Sequence, residues 1–190
     1  MNADALLKVT RALRQRLEQV AGIGRVFVGP LDDQDAAGAA LILFLYRIMP
    51  NASLRNREHR VPAAVPPPPV VVFGNALPLD LHYLVTVGTT PGDNEETLLA
   101  TLGGAMQALQ LDPELTGPAV DHETVHVSLD PLTTEETSRI WALFPTANYR
   151  TSIAYIASPV WIDPQLPATV GAPVVKDSLD VGARVTFDEV

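Results

Sequence analysis

The chain has 190 residues, 47% of them hydrophobic and 18% charged, a composition that predicts one folded domain with tails and excludes general disorder. Thirteen basic and 22 acidic side chains give a formal charge of -9, which disfavours nucleic acid and anionic membranes as partners. The absence of cysteine excludes disulfides, thiolate metal sites and thiol nucleophiles.

The first elements are predicted to be a helix and two strands. Apolar residues at helical spacing predict an amphipathic helix that ends at Gly22 and Gly24. Its stripe consists of Leu6, Val9, Leu13, Leu17 and Val20. The segment RVFVG (25–29) predicts a short strand. The apolar run ALILFLYRI (40–48) is typical of a strand buried on both faces, so we expect it near the centre of a sheet.

The middle of the chain contains a long irregular segment and then a strand. Residues 50–77 include four consecutive prolines, which favour an extended loop without ladder donors. The stretch LPLDLHYLVTV (77–87) alternates strictly and predicts a half-buried strand. Its apolar face carries Leu79, Leu81, Tyr83, Val85 and Val87, and its polar face carries Asp80, His82 and Thr86.

Capping signals predict two further helices. Asp93 with Glu96 has the spacing of a capping box before an apolar stripe that ends ahead of Pro113. That stripe consists of Leu98, Leu102, Ala105, Met106 and Leu109. Thr133 with Glu136 repeats the spacing and opens a third helix, which carries Ile140, Leu143 and Phe144 and stops at Pro145.

The segment TSIAYIASPVWID (151–163) is rich in β-branched and aromatic residues and predicts the last strand, with Pro159 at an edge position or a bulge. The fold class is therefore α/β (α+β), a mixed, mostly antiparallel sheet of about four to five strands flanked by three helices. We place one domain at 1–163, with the Pro-rich loop at 50–77. Residues 164–190 are predicted to form a C-terminal tail that need not belong to the core.

The segment HETVH (122–126) matches the zinc-peptidase signature letter for letter. On a helix the two histidines lie about 6 Å apart along the axis and can share one metal ion, whereas on a strand they lie about 13 Å apart. The alternation in TVHVSL (124–129) and the flanking Pro118 and Pro131 favour a strand. A zinc-dependent hydrolase stays an alternative hypothesis, and we predict no metal or cofactor.

The other candidate motifs have simpler explanations. We predict His59 and His82 to be hydrogen-bonded surface imidazoles. No serine lies in a G-x-S-x-G elbow, and the pair Gly103 and Gly104 is better explained by close helix packing than by a phosphate loop. The glycosylation pattern Asn51-Ala-Ser53 is predicted to be a polar turn. We therefore predict no catalytic residue.

Three segments carry a family resemblance: LYRIMPNASLRN (45–56), LPLDLHYLVTV (77–87) and LTTEETSRIWALFPTANYRTSIAYIASPVWID (132–163). Together they resemble the cap, or tail-terminator, proteins of contractile injection systems such as the antifeeding prophage and the Photorhabdus virulence cassettes. The helix segment TLGGAMQAL (101–109) is also similar to that family. The resemblance runs in order over about residues 5–163.

The resemblance implies a non-enzymatic, terminator-type domain that forms a six-fold ring, ends the inner tube and sheath and stops their polymerisation. It implies tube and sheath proteins as partners, assembly in the bacterial cytoplasm, and a place in a particle that can be released. No charged leader precedes an apolar run, and the longest apolar stretch, 36–46, is too short to span a bilayer, so we expect no membrane insertion.

Four arginines crowd one loop of this acidic chain with only Glu58 opposing them, which makes the loop either a solvated segment or an interface. The interface candidates are Arg47, Asn51, Arg55, Asn56, Arg57, Arg60, Tyr149, Arg150 and Pro159. A strand edge at Pro159 is predicted to accept an extended arm from a sheath subunit. Trp141 is predicted to pack in the core. A small-molecule-binding α/β module is the second alternative to a structural cap.

Overall fold

The computed structural model describes residues 3–62, 70–89, 94–165 and 169–171. In chain order the elements are α1 (Ala5–Ala21), β1 (Val26–Val28), a 3-10 turn (Gln34–Ala36), β2 (Leu41–Pro50), β3 (His59–Pro62), β4 (Val70–Phe73), β5 (Leu77–Val87), α2 (Glu95–Leu111), β6 (Glu114–Leu115), a second 3-10 turn (Pro118–Val120), β7 (Val125–Leu129), α3 (Thr134–Trp141), β8 (Ser152–Ile162) and β9 (Thr169–Gly171). In the described part of the chain no helix is long and apolar enough to cross a membrane.

The strands form two sheets. The main sheet has the order β1-β2-β5-β8-β7-β6, and only its β1–β2 pair is parallel. The small sheet has the order β3-β4-β9 and is antiparallel. The predicted class, a mixed and mostly antiparallel sheet with three helices, is confirmed. The main sheet has six strands rather than the predicted four to five, and the small sheet was not predicted. The short strands at both margins of the main sheet and those of the small sheet have weak sequence signals.

Two layers of helices cover the main sheet. α1 and α2 lie on one face, where the α1 stripe packs against apolar side chains of β2, β5 and β8. That stripe is Ala5, Val9, Leu13, Leu17 and Ala21. α3 covers part of the other face, where Trp141 is buried with Ile42, Leu84 and Ala154. The predicted core position of Trp141 is confirmed, whereas Val20, Met106 and Leu143 are exposed.

The strand β5 is buried on both faces rather than on one. Its polar positions His82 and Thr86 are 5% and 0% exposed. The prediction of a half-buried strand is wrong because both faces of the sheet are covered at β5: α1 and α2 pack on one face, and Trp141 of α3 packs with Leu84 on the other. A polar side chain there needs a hydrogen-bond partner, and Thr86 finds one by donating to the Thr151 carbonyl at 3.0 Å.

The helix starts follow the capping rules closely. Thr133 accepts from the Glu136 amide at 3.2 Å while the Glu136 carboxylate accepts from the Thr133 amide at 2.8 Å, which completes the predicted capping box. α2 begins one residue later than predicted. Its N-cap is Asn94, which accepts from the Thr97 amide at 2.8 Å, and Asp93 lies outside the described residues.

The predicted loop 50–77 contains regular structure at both of its ends. β2 extends to Pro50, and β3 and β4 pair in antiparallel register from His59↔Phe73 to Pro62↔Val70. The prolines 66–69 lie outside the described residues. β9, beyond residue 163, pairs with β4, so part of the predicted tail joins the small sheet. The division at residue 163 stays a prediction.

β8 pairs with β5 on one side and, over residues 155–158, with β7 on the other. Among the described residues Pro159 and the three residues after it have no partner on the β7 side, so the strand edge at Pro159 as an acceptor for a sheath arm stays a prediction. The alternative of a bulge is confirmed, because the β5–β8 register shifts opposite the cis peptide between Ser158 and Pro159.

Candidate functional site

The HETVH segment does not form a helix. His122 lies in a turn with φ of 61°, and His126 is an exposed residue of β7. The two imidazoles therefore do not share the helical face that a zinc peptidase needs. The Glu123 carboxylate contacts His59 instead, at 3.1 Å. The interpretation of this motif as a zinc-peptidase helix is wrong. The segment is a turn followed by a strand, as the alternation of apolar and polar residues predicted.

His59 is the centre of a buried polar cluster. Its Nδ1 lies 2.7 Å from an Asp163 oxygen and its Nε2 lies 3.1 Å from a Glu123 oxygen. The ring stacks on Trp161 with centroids 4.5 Å apart and planes inclined by 9°, and Phe73 lies beyond at 6.3 Å. His59 is only 5% exposed. The prediction of a surface imidazole is wrong because β3 turns the ring onto the main sheet.

The electrostatics of this cluster favour a charged histidine. Burial lowers the pKa of His59, but hydrogen bonds with Asp163 and Glu123 outweigh it and hold that pKa above its ordinary value. Burial raises the pKa of Asp163, and the interaction with His59 helps to bring it below its ordinary value. The cluster therefore resembles an ion pair with two carboxylates and one imidazolium.

The same three side chains are the described group best placed to hold a metal ion, since one donor atom from each lies within 4.8 Å of the other two. The ring, however, directs its two nitrogens at different carboxylates. A metal ion would bind through one ring nitrogen only, whereas here each nitrogen lies at hydrogen-bond distance from its own carboxylate. The arrangement fits hydrogen bonding better than metal coordination.

A second polar cluster lies on the face of the main sheet that carries α3. The Asp130 carboxylate contacts His82 Nδ1 at 2.6 Å and accepts from the Tyr46 hydroxyl at 2.8 Å. The Arg47 guanidinium lies 3.3 Å from both ring nitrogens of His82. His82 is thus hydrogen-bonded as predicted, but it is buried under Arg47 rather than at the surface.

Burial and hydrogen bonds shift the pKa values of two groups in this cluster, Asp130 and Tyr46. Burial raises the pKa of Asp130, but the hydrogen bonds with His82 and Tyr46 outweigh it, so that pKa lies below its ordinary value. Burial and the Asp130 carboxylate together raise the pKa of Tyr46. The cluster therefore keeps an ionised carboxylate and a neutral phenol at neutral pH.

Asn51 ties the turn after β2 to the interior of the sheet. Its amide nitrogen donates to Asp80 at 2.8 Å and to the Ser158 hydroxyl at 3.2 Å, and its oxygen accepts the Leu54 amide at 3.1 Å. Residues 52–56 form turns, which confirms the polar turn predicted for the glycosylation pattern. Asn51 thus fixes the base of the loop that carries Arg55 and Arg57.

The structure divides the predicted arginines into two kinds. Arg47 lies against His82, and Arg60 pairs with Glu58 at 3.0 Å. Arg55 and Arg57 are exposed, and among the residues that the structure describes no carboxylate lies within ion-pair distance of either. Asn56 between them is exposed as well. We call Arg55, Asn56 and Arg57 the arginine turn.

Tyr149 and Arg150 lie far from the arginine turn. They precede β8, whose first residue, Ser152, pairs with Thr86, whereas the arginine turn follows Pro50, which pairs with Leu79. The seven residues from Leu79 to Thr86 span about 23 Å of strand. Tyr149 is 65% exposed beside Trp141, and burial lowers the pKa of Arg150. The predicted interface residues therefore occupy opposite ends of the main sheet.

A family model described as the Pvc16 N-terminal domain matches residues 8–176. The chain belongs to this family. No curated protein sequence matches it significantly. The Pvc16 domain fold is also found in two cryo-EM structures of contractile particles.

One of these structures is the PVC sheath/tube terminator of an extracellular contractile injection system in its extended state. Its TM-score is 0.60 and its sequence identity is 17%, and the match covers 99% of this chain and 67% of the terminator chain. The other is the tube-terminating cap of the anti-feeding prophage, with a TM-score of 0.61 and 19% identity over 91% of this chain and 60% of that one. The chain described here thus spans about two thirds or less of each relative. At these identities the likeness establishes the fold.

Sequence reasoning missed both histidine clusters. Glu123 and Asp163 are 64 and 104 residues from His59 along the chain, so no local spacing joins them. The sequence contains one weaker signal. A histidine within an otherwise apolar strand, as in 77–87, needs a hydrogen-bond partner if both faces of that strand are buried. That signal indicates that a partner exists but not which residue it is.

Proposed function

We propose that this chain is a structural cap of a phage-tail-like contractile injection particle. It forms a ring on the end of the inner tube and sheath and stops their polymerisation. The observation that carries the proposal is the family match over residues 8–176, supported by a fold shared with two terminators of such particles. A ring on a six-fold tube requires six copies, so we expect a homo-hexamer, formed alone or on its template.

The arginine turn is the surface that we assign to a partner. Arg55 and Arg57 project exposed guanidiniums from a turn whose base is fixed by Asn51, so the charges are held in place rather than carried on a free loop. Guanidinium groups recognise carboxylates in a planar, two-point manner and are enriched at interfaces. The partner surface is therefore acidic, on a neighbouring copy or on the tube end.

Termination can be tested directly on growing particles. The tube and sheath proteins of a contractile injection particle are produced with and without the chain, and particle lengths and ends are measured by negative-stain electron microscopy. We expect particles of uniform length with a closing ring when the chain is present, and open tubes of variable length when it is absent. Equal length distributions and open ends in both preparations would contradict the proposal.

The role of the arginine turn is tested against charge reversal at an exposed arginine elsewhere. The double variant Arg55→Glu and Arg57→Glu is compared with Arg139→Glu, which changes an exposed arginine on α3 that pairs only with Glu135 among the described residues. We expect the double variant to stay folded and fail to close tubes, while Arg139→Glu closes them normally. Normal closure by the double variant would remove the turn from the interface but leave the cap function standing.

We further propose that the chain assembles in the bacterial cytoplasm and leaves the cell as part of the particle, without an enzymatic activity of its own. The buried clusters at His59 and His82 support the second point. Their titratable groups are paired with one another rather than directed into a cleft. Cell fractionation during particle production, followed with an antibody against the chain, measures whether the chain is found first in the cytoplasm and later in released particles.

A further inference from the structure

The small sheet is held to the main sheet by one described side chain. His59, on β3, contacts Asp163, just after β8, and Glu123, just before β7. Within the described residues these are the only side-chain hydrogen bonds between the two sheets. The stacking of the same ring on Trp161 adds an aromatic contact to β8. Among the described side chains, His59 is therefore the one whose protonation can change the contact between the two sheets.

Only the doubly protonated ring donates to both carboxylates. A neutral imidazole has one N–H donor and one lone pair, so it can donate to Asp163 or to Glu123 but not to both. The ring lone pair would then face the second carboxylate at hydrogen-bond distance, where the two repel each other. A doubly protonated ring donates to each, and Trp161, parallel to it at 4.5 Å, offers the π face that a cation prefers.

We propose that His59 is a pH-sensitive clasp: as an imidazolium it joins Glu123 and Asp163 and holds the small sheet against the main sheet, and loss of its proton releases the small sheet. This inference does not depend on the proposed cap function. It concerns a device within the chain, whatever the chain assembles with.

The charged groups around the ring determine the pH range in which the clasp holds. The described groups that face it are Glu123 and Asp163, while Arg60 and Glu58 pair with each other in solvent. Because the pKa of His59 is raised, its contribution is complete below the unfolded value of 6.5 and is lost as pH rises through the folded value. Because the pKa of Asp163 is lowered, its contribution is lost as pH falls through that folded value.

The first experiment is a titration of the unmodified chain. The four histidines are followed by ¹H–¹³C NMR between about pH 5 and 10, and the His59 signal is identified by its loss in His59→Gln. In parallel, the protection of backbone amides in 59–62 and 70–73 is measured by hydrogen exchange, corrected for the intrinsic rate at each pH. We expect His59 to titrate above 6.5 and the protection to fall by about tenfold per pH unit as it does.

Variants separate the clasp from a generally pH-sensitive structure. In His59→Gln the protection of 59–62 and 70–73 is expected to be low at every pH and to lose its dependence on pH. The control His126→Gln removes an exposed histidine from β7 and is expected to behave as the unmodified chain. If His59→Gln does not fold, the His59 signal of the unmodified chain is assigned by triple-resonance NMR on isotope-labelled protein, and its titration still decides the question.

Three results would overturn the proposal. They are titration of His59 at or below its ordinary value, unchanged protection of the small sheet through that titration, and binding of one equivalent of Zn²⁺ or Mn²⁺ by calorimetry that disappears in His59→Gln. The last result would show that the cluster holds a metal ion rather than a proton.

Discussion

Asn51 donates its side-chain amide to the Asp80 carboxylate at 2.8 Å, so the turn after β2 is anchored to the neighbouring strand β5. The substitution Asn51→Ala removes this bond and those with Ser158 and the Leu54 amide. We expect the free energy of unfolding to fall by about 1–3 kcal/mol, measured by urea denaturation, because half-buried polar partners lose their hydrogen bonds. The control Asn56→Ala, at an exposed position, is expected to change it by less than about 0.5 kcal/mol.

The adjacent glycines of α2 are predicted to respond to alanine in opposite directions. A Cβ at Gly104 would lie 2.7 Å from Val20 Cγ1 of α1, whereas a Cβ at Gly103 would meet nothing within 4 Å. We expect Gly103→Ala to raise the free energy of unfolding by about 0.5–1 kcal/mol through helix propensity. Gly104→Ala is expected to lower it by about 1–2 kcal/mol through overpacking.

A second substitution tests the physical cause of that difference. Val20→Ala removes the clashing methyl, so Gly104→Ala in that background is expected to be neutral or stabilising. Thermal unfolding of the four proteins in the cycle measures the coupling. Equal effects of Gly104→Ala in both backgrounds would show that the helices do not approach as closely as described.

The carboxylate of Asp130 is predicted to stabilise the fold at neutral pH and not in strong acid. Asp130→Asn removes the charged partner of His82 and Tyr46, and we expect a loss of about 2 kcal/mol at pH 7. Since the folded pKa of Asp130 lies below 3.8, this advantage is complete above 3.8 and disappears as pH falls through the folded value. The test is the difference in unfolding free energy between the two proteins as a function of pH.

Tyr46→Phe serves as the matched variant for that series. It removes only the hydroxyl donor and leaves the Asp130 carboxylate with His82, so its effect is expected to be smaller, about 1 kcal/mol. A pH-independent difference for Asp130→Asn would contradict the assignment of the stabilisation to the ionised carboxylate.

The histidines of HETVH are predicted to be dispensable for folding. His126 is exposed on β7 and His122 is exposed in the preceding turn. The double substitution to alanine is expected to change the free energy of unfolding by less than about 0.5 kcal/mol, and EDTA is expected to leave the melting temperature unchanged. A metal content of one zinc per chain that falls to zero in the double variant would restore the hydrolase hypothesis.

Periodicity predicted the elements whose environment is decided locally. The α1 stripe, the capping box of Thr133 and the strand character of 125–129 each follow from residues within one turn or one strand of each other. Packing of distant segments decided the rest. The main example is 77–87, whose alternation looks half-buried although α3 and the Asp130 cluster cover its polar face.

The site followed the same division. The turn after β2 could be recognised as basic and polar from its own letters, and the family resemblance drew attention to it. The sequence could not predict which of its arginines have a partner. Arg47 contacts His82 and Arg60 pairs with Glu58, and these contacts depend on strand register. The bulge at Pro159 could not be told from an edge either, since a proline at a bulge and a proline at an edge give the same sequence signal.

The outermost strands of the main sheet, β1 and β6, are only three and two residues long. β1 covers only residues 41–43 of β2, so among the described residues the stretch 44–50 of β2 has no partner strand on that side. An uncovered strand edge of this length can pair with an extended segment of another chain, so a concentrated solution of the protein is expected to depend on charged side chains such as Arg47 to discourage unspecific strand pairing.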